Sequence, residues 1–259
     1  MKISIIIAGI ALIAGAAFAM SEFSQGKRLS WRYKMTVEIE TPEGIVTGSA
    51  VRQMGNDYQV NFPAEASNYG EVSGEAVAVD LGARGVLFAL ISHASDLRFY
   101  YTFPVPWGGG GETPEGYKYY ASLPVGTKAV MPLSSAYPLL VTFTDMDDPK
   151  SVAVVYERER CAYAKQPQEG CSGRKGDYIK VDRFEELFGE GVKLKSITIE
   201  ITDEPVTKTG ILETFPKFDD EFWKWRKTLK FDDPRKVSEA NFSRGSIAEF
   251  RRMKKEQAK

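Results

Sequence analysis

Trp31-Arg32-Tyr33-Lys34-Met35-Thr36-Val37-Glu38-Ile39-Glu40 is the stretch that decides the fold. Its odd positions are apolar and its even positions are polar or charged. Successive side chains of a strand point to opposite faces, so a period of two specifies a strand with one face in a core. Thr41-Pro42-Glu43-Gly44 has turn chemistry, and Ile45 to Met54 reads as the returning strand of a hairpin.

The pattern continues on the C-terminal side. Gly55-Asn56-Asp57 is a further turn, and Tyr58 to Phe62 a short strand. Glu75 to Asp80 and Gly85 to Ile91 form the next hairpin, around Leu81-Gly82-Ala83-Arg84. The second arm is continuously apolar, which predicts a central strand covered on both faces. Residues 104–117 carry Pro104, Pro106, Gly108 to Gly111, Pro114 and Gly116, and predict a long irregular loop. Tyr137 to Phe143 and Ser151 to Tyr156 read as strands joined by Asp145-Met146-Asp147-Asp148-Pro149. Val181 to Gly189 reads as a short helix, with Asp182 as N-cap, Glu185 three residues on, and Gly189 as C-cap. Val192 to Ile201 is a strand whose apolar register slips by one near Lys195, the signature of a bulge. Together these give eight or nine strands and few helices. The fold class is mainly β with minor α, an antiparallel sandwich or partly closed barrel with a helical C-terminal tail. There is no internal repeat.

Composition narrows the function. Of 259 residues, 43% are hydrophobic and 27% charged, which fits a globular chain and excludes a polytopic membrane protein or wholesale disorder. Lys+Arg is 34 and Asp+Glu 35, so the chain is no general nucleic-acid coat. Two cysteines and one histidine exclude a histidine-rich metal centre, a four-cysteine zinc site and a dense disulfide scaffold. No cofactor, metal or nucleic-acid partner is expected.

The first residues carry a targeting pattern. Lys2 precedes Ile3 to Met20, in which Ser4 is the one polar side chain. The run ends Ala17-Phe18-Ala19, an A-x-A-like site that would be cut between Ala19 and Met20. Three readings stand. A cleaved signal gives an exported, periplasmic protein. An uncleaved anchor over residues 3–20 is just long enough to hold an exported body at the inner membrane. An inverted anchor leaves the body cytoplasmic, because Lys27, Arg28, Arg32 and Lys34 outnumber the charge before the segment. This divides the chain into residues 1–19 as signal or anchor, 20–30 as spacer, 31–216 as a β-rich body, and 217–259 as a basic-aromatic, partly helical tail. The tail holds 13 Lys/Arg against 8 Asp/Glu, whereas residues 20–216 hold 20 against 27.

Cys161 and Cys171 sit in a polar segment with Pro167 and Gly170. In an exported protein a disulfide between them is expected. Closing so short a ring stabilises by about 2.5–3 kcal/mol in the chain-entropy model. The spacing is wrong for a Cys-x-x-Cys redox pair, and His93 is the sole histidine available to complete a metal site.

Four segments carry a family resemblance: Trp31 to Gly44, Gly74 to Gly82, Pro138 to Phe143 and Lys195 to Thr207. They resemble an uncharacterised family of proteobacterial proteins that bear an N-terminal signal or anchor segment. The resemblance covers about residues 31–215. It implies a bacterial envelope location and no activity, cofactor or site.

Few constellations point to chemistry. His93 has Ser92, Ser95 and Asp96 beside it, but a Ser–His–Asp site is made by spatial roles and no nucleophile-elbow motif is present. Gly108 to Gly111 lacks the Gly-Lys-Ser/Thr ending of a phosphate loop, and Glu112 would repel phosphate. Asp145, Asp147 and Asp148 resemble half of a calcium loop that Pro149 interrupts, so an acidic turn is expected. The aromatic residues of 99–120 offer either core packing or a ligand edge for a sugar or peptide, with Tyr100, Tyr101, Trp107 and Tyr119 as its residues. In the tail, Trp223 and Trp225 are interleaved with Lys224, Arg226 and Lys227. That stretch reads as packing on the body, as an envelope-protein contact, or as a membrane-surface contact. The function expected is a non-enzymatic exported envelope protein, a binding or structural accessory module. The alternatives are an envelope hydrolase acting on glycan or peptide and an inverted, membrane-tethered cytoplasmic adaptor.

Overall fold

The Trp31–Glu40 alternation folds as the sequence requires, with Trp31, Tyr33, Met35, Val37 and Ile39 all buried. The computed structural model describes residues 29–56, 70–91, 97–108, 111, 113–132, 137–160, 177–209, 211, 218–231 and 233–245. Within them, strands β1 (Ser30–Thr41) and β2 (Gly44–Asn56) make a tight hairpin, with Tyr33 opposite Arg52 and Thr41 opposite Gly44. Gly44 closes the turn at φ 134, in a region side chains disfavour.

The remaining strands are β3 (Gly70–Glu75), β4 (Val77–Asp80), β5 (Val86–Ala89), β6 (Lys128–Val130), β7 (Leu140–Phe143), β8 (Val152–Arg160), β9 (Asp177–Asp182), β10 (Lys193–Ile201) and β11 (Ser243–Arg244). Short helices are α1 (Leu97–Thr102), α2 (Pro114–Ala121), α3 (Phe184–Phe188), α4 (Asp220–Thr228) and α5 (Glu239–Phe242). One sheet runs β11-β3-β2-β1-β10-β6 and the other β4-β5-β7-β8-β9. Every pairing is antiparallel, so the body is a sandwich.

The register slip in β10 is a true bulge. Glu38 lies opposite Ser196 and Ile39 opposite Leu194, which leaves Lys195 as the extra residue. The bulge lets Leu194 and Ile197, three apart in sequence, both pack on the inter-sheet core. The chain passes from the first sheet to the second at Ala76. There β4 crosses so close to β2 that a Cβ at Gly48 would collide with the Ala78 carbonyl oxygen.

The continuously apolar arm predicted to be central is covered on both faces. Leu87 and Ala89 of β5 face the first sheet, whereas Val86, Phe88 and Leu90 face a second core. That second core is roofed by the chain after Pro216, through Phe218, Phe222, Val237 and Phe242. The same segment is sewn into both sheets. Ala76 N–H donates to the Phe242 carbonyl at 2.7 Å, Ile91 N–H to the Asn241 carbonyl at 2.8 Å, and β11 extends the first sheet beside β3.

Several expectations need correction. Residues 104–117 are not irregular throughout, because α2 begins at Pro114. Thr113 caps it by accepting from Gly116 N–H at 3.1 Å, and proline suits the first helical position, where no amide bond is lost. Asp182 lies one residue before the N-cap position of α3, although its carboxylate accepts from Phe184 N–H at 3.4 Å. Pairing with Tyr156 holds Asp182 in β9, and Arg183 occupies the cap position without a side-chain cap. Gly189 does end that helix, at φ 101. Glu75 belongs to β3 rather than to the following hairpin, and the strand expected from Tyr137 begins at Leu140. Short β3, β6, β9 and β11 bring the described strands to eleven. Residues 1–28, Tyr58 to Phe62, His93, Cys161, Cys171 and Ser246 to Lys255 lie outside the described residues.

Candidate functional site: an aromatic edge and a basic tail surface

The aromatic residues of 99–120 come from α1, α2 and the segment between them, not from alternating strands. They gather over the Trp31 end of β1. The Trp31 ring lies 5.6 Å from Phe99, 6.0 Å from Tyr117 and 5.3 Å from Tyr120, and Phe99 lies 5.2 Å from Tyr33. Phe99, Tyr100, Phe103, Tyr117 and Tyr120 are buried in this nest. Burial pushes the Tyr120 phenol well above its ordinary pKa, which keeps it neutral. Among the described residues, neither Tyr120 OH nor Trp31 Nε1 has a hydrogen-bond partner. Gly111 presses on the nest, where a Cβ would collide with the Tyr120 hydroxyl.

The four residues proposed as a ligand edge therefore separate. Tyr100 belongs to the core, its ring tilted against that of Tyr120 at 5.2 Å. Tyr101 is 41% exposed and Trp107 57% exposed, and Tyr119 is half-buried. Trp107 meets Tyr119 edge-on at 5.7 Å, and Tyr119 meets Tyr120 at 5.2 Å. A ladder of rings thus runs from solvent at Trp107, through Tyr119 and Tyr120, to Trp31 in the core.

The acidic turn keeps its carboxylates for itself. Asp145 accepts from Asp147 N–H at 2.9 Å, and Asp148 accepts from Lys150 N–H at 2.9 Å. No three His, Cys, Asp or Glu among the described residues are arranged to hold a metal.

In the tail, Asp219 caps α4 by accepting from Phe222 N–H at 2.9 Å. Phe222 is fully buried, and half-buried Trp223 and Trp225 pack against the second core. Arg226 lies 5.4 Å from the Trp223 ring centre and donates to the Val237 and Lys236 carbonyls at 2.7 and 2.9 Å. Of the five residues predicted for partner contact, then, these three are engaged within the chain, and Lys224 and Lys227 remain exposed. Two grooves flank residues 230–237. One, of 520 Å³, is lined by Val152, Val154, Arg183, Lys230 and Arg235. The other, of 460 Å³, is lined by Leu90, Leu139, Phe231 and Lys236. Arg183 is paired with Glu186 at 2.6 Å and Arg235 with Asp233 at 2.7 Å. These hydrogen-bonded guanidinium groups hold the Glu186 and Asp233 carboxyls below their ordinary pKa.

No family model, curated protein or solved structure matches this chain. Function must be read from the surface chemistry. No helix of the described residues is long and apolar enough to cross a membrane. Sequence reasoning missed two notable residues. Phe231 was one aromatic among many, yet it is 97% exposed. Arg52, between the buried Ala50 and Met54 of β2, is 1% exposed. A lone arginine at a core-facing position of a period-two strand was the available signal.

Proposed function

We propose that this protein is a non-enzymatic binding module of a bacterial envelope, exported by its N-terminal segment, that holds a glycan or peptide chain against the Trp107 edge. The observation that carries the reading is the exposed Trp107 ring braced by Tyr119, itself braced by a buried nest. An amphipathic ring held in one orientation offers apolar area to the CH face of a sugar or to a peptide side chain. Little conformational freedom is lost on binding, because the bracing fixes the ring beforehand. The body is suited to such a load, since both faces of its second sheet are packed. Export would also oxidise the Cys161–Cys171 pair. The bases of that segment are already joined, with Arg160 paired to Asp177.

Titration with soluble envelope glycan fragments and with short peptides, followed by tryptophan fluorescence and calorimetry, tests the reading. Saturable binding that Trp107→Ala lowers at least tenfold, with thermal stability unchanged, supports it. Absence of binding, or binding indifferent to Trp107, sinks it. Turnover of the ligand abolished by one polar substitution would establish a hydrolase instead. Intact mass before and after reduction and alkylation tests export: the expected chain starts at Met20 and lacks two hydrogens at the cysteines.

A further inference from the structure

We infer that the surface around Phe231 docks on an anionic lipid bilayer, with Phe231 entering the headgroup–acyl boundary and Lys224, Lys227, Lys230 and Lys236 at headgroup level. The inference is independent of the glycan reading, because it concerns a different face and different residues.

Phe231 has 97% of its surface exposed, at the rim of the groove lined by Leu90, Leu139 and Lys236. A scattered exposed apolar side chain is ordinary. The lysines that neighbour it in sequence, with Lys236 over its ring, are what separate this one. From the helix cap onward, residues 219–236 hold six Lys/Arg against Asp219, Asp220, Glu221, Asp232 and Asp233, while residues 20–216 carry a net charge of −7. The helix is acidic in its first turn and basic in its last, so the basic character lies at its C-terminal end and in the chain just beyond. The cations divide into two sets. Arg226 is bonded to backbone carbonyls and Arg235 to Asp233, so both serve the fold. No ion pair with a described carboxylate engages Lys224, Lys227 or Lys230, whereas Lys236 adds its charge to that of Arg235 at Asp233. Lys236 Nζ sits 6.0 Å from the Phe231 ring centre, which places charge and apolar ring together.

Helical spacing supplies the geometry. Lys224 and Lys227 are three apart on α4 and share its solvent face, while Phe222 on the opposite face is buried. The chain leaves the helix at Leu229, and Lys230 and Phe231 follow at once, both exposed. A single apolar ring with flexible ammonium groups around it fits an interface of phosphate groups above acyl chains. A protein partner would call for a larger apolar patch than one ring.

Sedimentation of the purified full chain with phosphatidylglycerol vesicles and with phosphatidylcholine vesicles tests this. The ratio of the two partition coefficients is the readout, so any affinity from the N-terminal apolar segment is shared by both arms. The expected ratio is well above one and falls as NaCl is raised. Each of Lys224→Gln, Lys227→Gln and Lys230→Gln should lower it about fivefold, the equivalent of roughly 1 kcal/mol per lysine. Phe231→Ala should weaken binding to both lipids about tenfold or more with melting temperature unchanged, and Phe231→Trp should restore it. A ratio of one, a ratio untouched by the lysine changes, or self-association that depends on Phe231 without lipid preference would each overturn the inference.

Discussion

Arg52 carries its charge into the space between the sheets. Its Nε donates to the Glu75 carbonyl at 2.9 Å, and a terminal nitrogen donates to the Ala89 carbonyl at 2.9 Å. One planar fork thus ties β3 of the first sheet to β5 of the second. Arg52→Lys keeps the charge but cannot reach both carbonyls, and Arg52→Ala leaves both without this donor. Chemical denaturation should show Arg52→Ala losing about 3 kcal/mol or more and Arg52→Lys a smaller amount. At the surface, Glu38 accepts from Ser196 Oγ at 2.6 Å, and this bond, followed by the charge of Lys195, holds its carboxyl below the ordinary range. Glu43 beside Arg84, Glu186 beside Arg183 and Asp233 beside Arg235 are lowered likewise. A carboxyl lowered in the folded state favours folding above its unfolded pKa, and that contribution is lost as pH falls through the folded one. Melting temperature should therefore fall as the solution is acidified below about pH 4. The effect is small because these groups are exposed, and Ser196→Ala should make the fall shallower.

At the scale of the element, the bulge in β10 makes a prediction of sign. Leu194 and Ile197 face one core across an odd spacing only because Lys195 is unpaired. Deleting Lys195 gives those residues an even spacing, so the ladder becomes continuous and the fold should survive with a small change in stability. Deleting Thr198 places Ile197 next to Ile199 and turns one side of the strand outward. That variant should be unfolded or aggregated by circular dichroism. The helices α1 and α2 teach a different lesson. Their aromatic residues are spaced for burial against Trp31, but prolines and glycines around them read as loop. Pro114 proved to be a helix start because Thr113 caps it, and only the cap distinguishes that proline from a breaker.

Across the whole molecule, the chain after Pro216 is the third layer. Phe222 and Phe242, both fully buried, cover Phe88, Val141 and Phe143 on the outer face of the second sheet. A chain ending at Pro216 should expose that face, bind hydrophobic dyes and aggregate. Phe222→Ala in the full chain should cost about 3–5 kcal/mol in chemical denaturation. The basic character that sets the tail apart in composition is thus a property of its outer surface. Its inner surface completes the fold, and the division of labour runs through α4 itself, with Phe222 inward and Lys224 and Lys227 outward.

The sequence by itself determined a mainly antiparallel β body, the β1–β2 hairpin, the bulge near Lys195 and the two-sided burial of the Val86–Ala89 arm. Each rests on local periodicity, and periodicity follows from where a strand points its side chains. The choice of sandwich over barrel came from the two separate sheets. Only the tertiary structure decided which aromatic residues reach solvent. Tyr100 and Tyr101 are neighbours in one helix, yet one is buried in the nest and the other is 41% exposed. Trp107 and Phe231 likewise stand out because the described body covers Trp107 only in part and Phe231 hardly at all. Composition cannot report that, since exposure depends on what the distant chain brings alongside. Arg52 makes the same point from inside: its place was written in the strand pattern, but its partners, the carbonyls of Glu75 and Ala89, were assembled by the meeting of two sheets.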